Sequence, residues 1–214
     1  MKLLDLYCGA GGASAGYSYA GFEIVGIDKF RQKRYPFEFI QMDALEVTPS
    51  FLAGFDVIHA SPPCQKYSDL QKRTGLEYPD LIEPTRQILQ ASGKPYIIEN
   101  VDTAPLENPV MLCGRMFSEL RVYRHRLFES NMEFEVPPHP THDKLVFTHD
   151  KRKHHYKRFD NGMFIQVTGG GNGTIEQKRR AMNISWMIHK EINESIPPAY
   201  TKYLGEQIWK KMTS

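Results

Sequence analysis

The most reactive candidate in this sequence is a thiol on a stiff turn: Ser61-Pro62-Pro63-Cys64-Gln65, reached from the apolar run Phe55-Asp56-Val57-Ile58-His59. A free cysteine is either a small buried hydrophobe or, as its thiolate, a nucleophile. The two prolines fix the backbone around the sulfur, which matters where an attacking atom must be held in place. A carboxyl group, Glu99, closes the apolar stretch Lys94-Pro95-Tyr96-Ile97-Ile98-Glu99-Asn100-Val101. A buried strand seldom carries a glutamate without a partner or a task, and acid chemistry, a helix cap or an ion pair would each use it. A third group is the glycine run Cys8-Gly9-Ala10-Gly11-Gly12, where backbone amides can approach a ligand closely. Asp28 follows roughly 20 residues later, the offset at which nucleotide-binding folds place an acid on a ribose.

These groups need elements to hold them. Lys2–Tyr7 predicts a first strand, Ser14 a cap, Ala15–Ala20 a helix ended by Gly21, and Phe22–Asp28 a second strand. Phe37–Asp43 is a third strand closing on another acid, Asp43, and Phe55–His59 a fourth that delivers Cys64. A helix over Pro79–Leu89 precedes the Glu99 strand, and Arg121–Glu129 alternates charged and bulky residues as a strand with a basic face. Helices are expected over Ile175–Ile192 and Pro198–Trp209. Strand, helix, strand in repetition argues a parallel sheet covered on both faces, with chemistry at the carboxyl ends of its strands.

At 214 residues, 41% hydrophobic and 24% charged, the chain reads as one main domain with a small appended lobe. No apolar run approaches the ~18 residues of a membrane span, so no membrane partner is expected. The start, Met1-Lys2-Leu3-Leu4-Asp5-Leu6, is interrupted by Asp5 and reads as a strand rather than a leader, giving a cytoplasmic expectation. Cys8, Cys64 and Cys113 are widely spaced, which suggests neither a disulfide framework nor a cysteine zinc site. From Asn131 to Asn161 the texture turns polar, with five of the eight histidines and the basic run His149–Arg158 around Tyr156. Such a run suits a nucleic-acid backbone or a solvated loop. No cysteine joins those histidines in sequence and their spacing matches no zinc pattern, so no metal is expected.

Four pieces, in this order, resemble the cytosine carbon-5 DNA methyltransferases: Asp5-Leu6-Tyr7-Cys8-Gly9-Ala10-Gly11-Gly12, Ser61-Pro62-Pro63-Cys64-Gln65 with Ser68, Glu99-Asn100-Val101, and Arg124-His125-Arg126. Ser195-Ile196-Pro197-Pro198-Ala199 is similar to the family's last motif. Two positions depart from the pattern: Val122 where the family has Gln, and Asn193-Glu194 where it has Gly-Asn. The resemblance implies a Rossmann-like α/β sheet of the S-adenosylmethionine-dependent methyltransferases, formed by residues 1–130 and 175–214. Residues 131–174 would then be a reduced target-recognition region, in the compact form familiar from bacteriophages. It implies Cys64 as the nucleophile on cytosine, Glu99 as the acid on the ring, and Arg124 and Arg126 as holding the base and the Cys64 region. S-adenosylmethionine would lie over Tyr7, Gly9, Ala10, Gly11 and Gly12, with Asp5, Asp28, Lys29, Asp43, Ala44, Pro62 and Ser195 completing its site. Double-stranded DNA would meet Gln65, Ser68 and the basic Lys151, Arg152, Lys153, Lys157 and Arg158, with the enzyme acting as a monomer. Rival readings are the same chemistry on transfer RNA, a catalytically silent DNA-binding homologue, and a nicotinamide-dependent enzyme, the last of which leaves PPCQ and ENV unexplained.

Overall fold

The computed structural model describes residues 1–67, 77–144, 146–147, 163–168 and 173–214. Its centre is a seven-stranded sheet. In chain order the strands are β1 (Lys2–Leu6), β2 (Glu23–Asp28), β3 (Glu38–Gln41), β4 (Val57–Ala60), β5 (Tyr96–Asn100), β6 (Val110–Leu112) and β7 (Arg126–Ser130), and in space they run β3-β2-β1-β4-β5-β7-β6. The first five are parallel, and β7 is antiparallel to both neighbours. Because the order reverses between β1 and β4, the loops leaving their carboxyl ends diverge and open a crevice. The glycine run and the Cys64 turn are those two loops.

Helix α1 (Gly12–Tyr19) follows β1, α2 (Pro49–Leu52) lies between β3 and β4, α3 (Ile82–Ser92) precedes β5, and α4 (Ile175–Met182), α5 (His189–Glu194) and α6 (Pro198–Thr213) follow one another at the C-terminal end. Side chains alternate across a strand. Leu3, Val57 and Ile97 therefore pack with Ala13 and Tyr17 of α1 and Tyr200, Leu204 and Ile208 of α6. Leu4, Val25, Ile58 and Ile98 point the other way, onto Leu52 of α2 and Leu89 of α3. Burial on both faces is why the central strands read as continuous apolar runs. Among the described residues, no helix is long and apolar enough to cross a membrane.

The α1–α6 contact is close because Gly16 has no side chain: a Cβ there would stand 2.0 Å from Thr201 Oγ1 and 2.1 Å from the Pro198 carbonyl. Thr201 Oγ1 also donates to the Ala13 carbonyl at 2.8 Å. Alanine normally improves a helix over glycine by about 0.5–1 kcal/mol. Here the sign should reverse: Gly16→Ala is expected to destabilise the chain by about 1–3 kcal/mol through overpacking against backbone, read as a lower urea midpoint at unchanged m-value.

Three expectations for the elements are corrected. The first helix begins at Gly12, because Gly11 at φ +84° turns the chain into it, so Ser14 lies inside the helix and does not cap it. The basic strand covers only Arg126–Ser130; Arg124, at φ +28°, takes residues 121–125 out of the ladder. The single helix expected over Ile175–Ile192 is two, α4 and α5, separated at Asn183, whose left-handed φ of +56° ends α4. In the 131–174 region, Met132, Phe134 and Val136 pack on the main core, and β8 (Val146–Phe147) pairs in parallel with β9 (Phe164–Ile165) as a separate ribbon.

Candidate active site

The glycine loop is held from several sides. Cys8 N–H donates to the Ile27 carbonyl at 3.0 Å, Gly9 N–H donates to Asp28 Oδ2 at 3.1 Å, and Trp186 Nε1 donates to the Ala10 carbonyl at 2.8 Å. Gly9 is left-handed at φ +49°, and a Cβ built there meets nothing within 4 Å, so its face is open to a ligand. Gly12 differs, since a Cβ there would lie 2.6 Å from the Ile196 carbonyl and 3.0 Å from Ser195 Cβ. Gly12 thus brings Ser195 against the loop, where its Oγ donates to the Ile192 carbonyl at 3.2 Å.

The acids at the strand ends are partly engaged. Asp28 Oδ1 accepts from Phe30 N–H at 2.8 Å. Asp43 Oδ1 accepts from Leu45 N–H at 3.1 Å and Oδ2 pairs with Lys29 Nζ at 2.9 Å, contacts that hold its carboxyl below the usual range. Each ionised oxygen has a second lone pair, so both acids retain capacity for hydroxyl or amine donors. Asp5 is fully buried beneath the loop; Ser14 Oγ donates to its Oδ2 and also meets Tyr35 OH at 2.7 Å. Burial pushes Asp5 up to about 7. Tyr7 OH meets Thr85 Oγ1 at 2.9 Å, and Ala44 is buried in the short turn after Asp43. An open left-handed glycine beside carboxylates that retain acceptor capacity fits an adenosine-bearing cofactor.

Cys64 is half-buried past the end of β4. Ser61 N–H donates to the Leu6 carbonyl at 3.1 Å, Asn100 Nδ2 donates to the Pro62 carbonyl at 2.8 Å, and Tyr67 N–H donates to the Cys64 carbonyl at 3.0 Å. The Pro62-Pro63-Cys64 turn is therefore tied to both neighbouring strands. Burial pushes the Cys64 thiol up; Arg126 and Arg124 pull it back down, and Glu99 adds to the rise. A thiol with a lowered pKa is thus not what the site provides.

Glu99, 6% exposed at the end of β5, receives Arg126 Nε on its Oε1 at 3.0 Å. Burial nonetheless outweighs Arg126 and Ser61 and raises the Glu99 carboxyl above its ordinary value. Sequence reading missed what stands behind it. Tyr17 OH meets His59 Nδ1 at 3.0 Å and His59 Nε2 meets Ser61 Oγ at 2.9 Å, with Tyr17 and His59 fully buried and Ser61 partly so. Ser61 in turn stands close enough to the Glu99 carboxyl to favour its ionised form. A histidine inside an apolar strand was the available signal.

His59 is held at about 3 by burial. The unfolded chain would bind a proton near pH 6.5 that the folded chain refuses, so this residue's contribution is full above pH 6.5 and is lost as pH falls toward 3. Asp5, raised to about 7, acts with the opposite sign, its contribution being present below pH 4 and lost as pH rises through 7. The two are separated by comparison with His59→Gln. The stability advantage of wild type over His59→Gln should shrink by about 2 kcal/mol between pH 7.5 and pH 5 in urea unfolding.

The two arginines divide their work. Arg126 faces Glu99, whereas Arg124 Nη1 donates to the Val167 carbonyl at 2.5 Å and Nη2 to the Asn193 carbonyl at 2.8 Å. Arg124 thereby ties the segment beyond β9 to the end of α5. Buried Lys178 supports the same place, donating to Asn193 Oδ1 at 2.7 Å and the Thr168 carbonyl at 3.3 Å. Asn193, where the final motif departs from the family pattern, is thus the acceptor for both cations.

A family description, C-5 cytosine-specific DNA methylase, matches residues 1–108, half of the chain, and covers the glycine loop, the Cys64 turn and Glu99. The chain belongs to this family. Among relatives of this C-5 methylase chain, the type II methyltransferase M.HgiGI of Herpetosiphon aurantiacus is 34% identical over 119 residues, 50% of this chain and 94% of that one. M.FnuDI of Fusobacterium nucleatum is 32% identical over 111 residues, 47% of this chain; the match spans only 32% of that protein's length. Two solved structures share the fold over the full length of both chains. One, from E. coli, is described as a DNA modification methyltransferase encoded within a prophage (TM-score 0.69, 13% identity), and the other is the S. pombe Dnmt2 methyltransferase (TM-score 0.61, 16% identity). The sheet is accordingly the Rossmann-like one of S-adenosylmethionine-dependent methyltransferases.

The methylase fold thus brings Cys64, Glu99, Arg124 and Arg126 within electrostatic reach of one another, beside the glycine loop. Gln65 follows Cys64 in the same turn. Ser68, Lys151, Arg152, Lys153, Lys157 and Arg158 lie outside the described residues.

Proposed function

We propose that this chain is a DNA cytosine-5 methyltransferase that works through a covalent Cys64 adduct on a base turned out of the duplex. The observation that carries the reading is the joining of Cys64, on a turn tied to both neighbouring strands, with a buried and acid-shifted Glu99 paired to Arg126. S-adenosylmethionine, held by the Gly9–Gly12 loop with Asp28 and Asp43, supplies an electrophilic methyl group when bound. Cytosine carbon 5 is a poor nucleophile until a thiolate adds at carbon 6 and makes the ring electron-rich. Cys64 provides that sulfur, giving up its proton to a base or solvent water as the sulfur–carbon 6 bond forms. Protonated Glu99 donates to ring nitrogen 3 and accepts from the exocyclic amine, neutralising charge that develops on the ring. Arg126 keeps the Glu99 carboxyl aimed, and Arg124 holds the strand end that carries Arg126. After transfer the carbon-5 proton leaves to a base, the carbon 5–carbon 6 double bond re-forms, and Cys64 is expelled with its bonding pair.

Cys64 cannot reach a base within a stacked duplex, so the target is flipped out at a cost of a few kcal/mol. The basic run Lys151–Arg158 offsets that cost through phosphate contacts, and the small recognition region between residues 131 and 174 reads a short site of about two to four base pairs. Binding should weaken with salt at a slope of ~0.9 per neutralised phosphate. Neutralising Lys151, Arg152, Lys153, Lys157 and Arg158 together is expected to flatten that slope, and an unchanged slope would put recognition elsewhere. Transfer of labelled methyl groups to duplex DNA and to transfer RNA in parallel tests the polymer. Incorporation into DNA supports the reading, and incorporation into transfer RNA alone overturns it.

A further inference from the structure

The antiparallel register of β6 and β7 pairs Val110 with Phe128, Met111 with Leu127 and Leu112 with Arg126, so the next residues out, Cys113 and His125, come opposite each other. The stretch after β7 returns to the same corner with His139 and His142, separated by Pro140 and Thr141. Cys113 Sγ lies 3.4 Å from His142 Nε2, and His125 Nε2 lies 3.2 Å from His139 Nε2. One donor atom from each of the four residues falls within 4.8 Å of every other. A tetrahedral zinc ion with bonds of about 2.0–2.1 Å to nitrogen and 2.3 Å to sulfur spaces its donors about 3.3–3.6 Å apart. The set therefore fits one ion with adjustments of side chains alone.

We propose that Cys113, His125, His139 and His142 form a structural zinc site. One thiolate with three imidazoles is a borderline-soft donor set that suits zinc, and four protein ligands leave no open position for chemistry. The sequence spacing hid the site because its cysteine arrives from β6, 26 residues before His139. Its surroundings are built independently of any ion. Tyr123 stacks on His142 at 3.9 Å between ring centroids and on Phe164 at 4.7 Å, its hydroxyl meets the Lys144 backbone, and Arg115 pairs with Asp143 at 3.3 Å. His125 stands between Arg124 and Arg126. The ion would clamp the arginine pair to the first stretch of the recognition region, fixing that region's approach to the Cys64 site without touching the reacting base.

The test uses the full-length chain purified from zinc-supplemented medium, with metal content measured by plasma mass spectrometry. About one zinc per chain is expected, retained in His189→Ala and lost in the Cys113→Ser, His142→Asn double variant. Replacing the ion with cobalt(II) should give the intense visible bands of a four-coordinate site and a thiolate-to-metal charge-transfer band that is absent in Cys113→Ser. Folded wild-type chain with only trace metal and no cobalt thiolate band overturns the site; another first-row ion at one per chain overturns its assignment to zinc. If the double variant does not fold, the wild-type zinc content and cobalt spectrum decide by themselves.

Discussion

Cys64→Ala is expected to abolish turnover, lowering the methyl-transfer rate by about four orders of magnitude or more, while leaving S-adenosylmethionine binding and the melting temperature nearly unchanged. The asymmetry follows from where the sulfur sits. Cys64 is half-buried and its backbone, rather than its thiol, is held by neighbours, through its carbonyl to Tyr67 and through Pro62 to Asn100. Removing one sulfur atom costs little packing, whereas without it carbon 5 of cytosine has no route to an electron-rich form. Isothermal titration with the cofactor beside a tritium-transfer assay separates the two effects. The raised thiol pKa adds a direction. In Glu99→Gln, whose side chain does not titrate, single-turnover adduct formation should quicken as pH rises through 8, since a larger fraction of thiolate becomes available.

Glu99→Gln is expected to lower kcat/KM for DNA by ~10²–10⁴ with a far smaller change in DNA affinity. Glutamine keeps the volume and can still hydrogen-bond the base edge, but it has no ionisable acid proton to give to ring nitrogen 3. Because burial raises the Glu99 carboxyl, the protonated form is available at higher pH than for an ordinary glutamate. Activity that depends on it therefore declines as pH climbs past the raised value, and Glu99→Gln should lose that alkaline limb of the profile. Arg126 Nε would face a neutral amide in this variant, so a melt is needed beside the kinetics. A variant that melts like wild type yet keeps full kcat/KM would remove Glu99 from the acid role.

What could be read from residues alone was whatever is local in the chain. Leu3, Leu4 and Leu6 announce a doubly covered strand, and the prolines beside Cys64 announce a turn at a strand end, because sterics and burial act on consecutive residues. Glu99 was legible as an acid out of place in an apolar run. The contacts that convert those residues into a site are long-range. Nothing in spacing joins Tyr17 to His59 and Ser61, or Lys178 to Asn193, since each pair meets only after helices fold back over the sheet. Residues 121–125 misled for a different reason. Alternating large and charged side chains suit an extended segment whether or not it pairs, and the left-handed turn at Arg124 is not encoded by a glycine. Cys113 illustrates the same limit, for its partner His125 is set by the register of an antiparallel pair.

The most direct test of the central claim is to incubate the chain with S-adenosylmethionine and duplex DNA carrying 5-fluorocytosine, then resolve the products on a denaturing gel. Fluorine cannot leave carbon 5 as a proton does, so the adduct formed by Cys64 has no way to collapse. A slower band that depends on the cofactor and disappears in Cys64→Ala is the predicted result. Persistence of the band in Cys64→Ala, or methylation of ordinary cytosine by a chain that leaves no adduct on the fluorinated base, would contradict it.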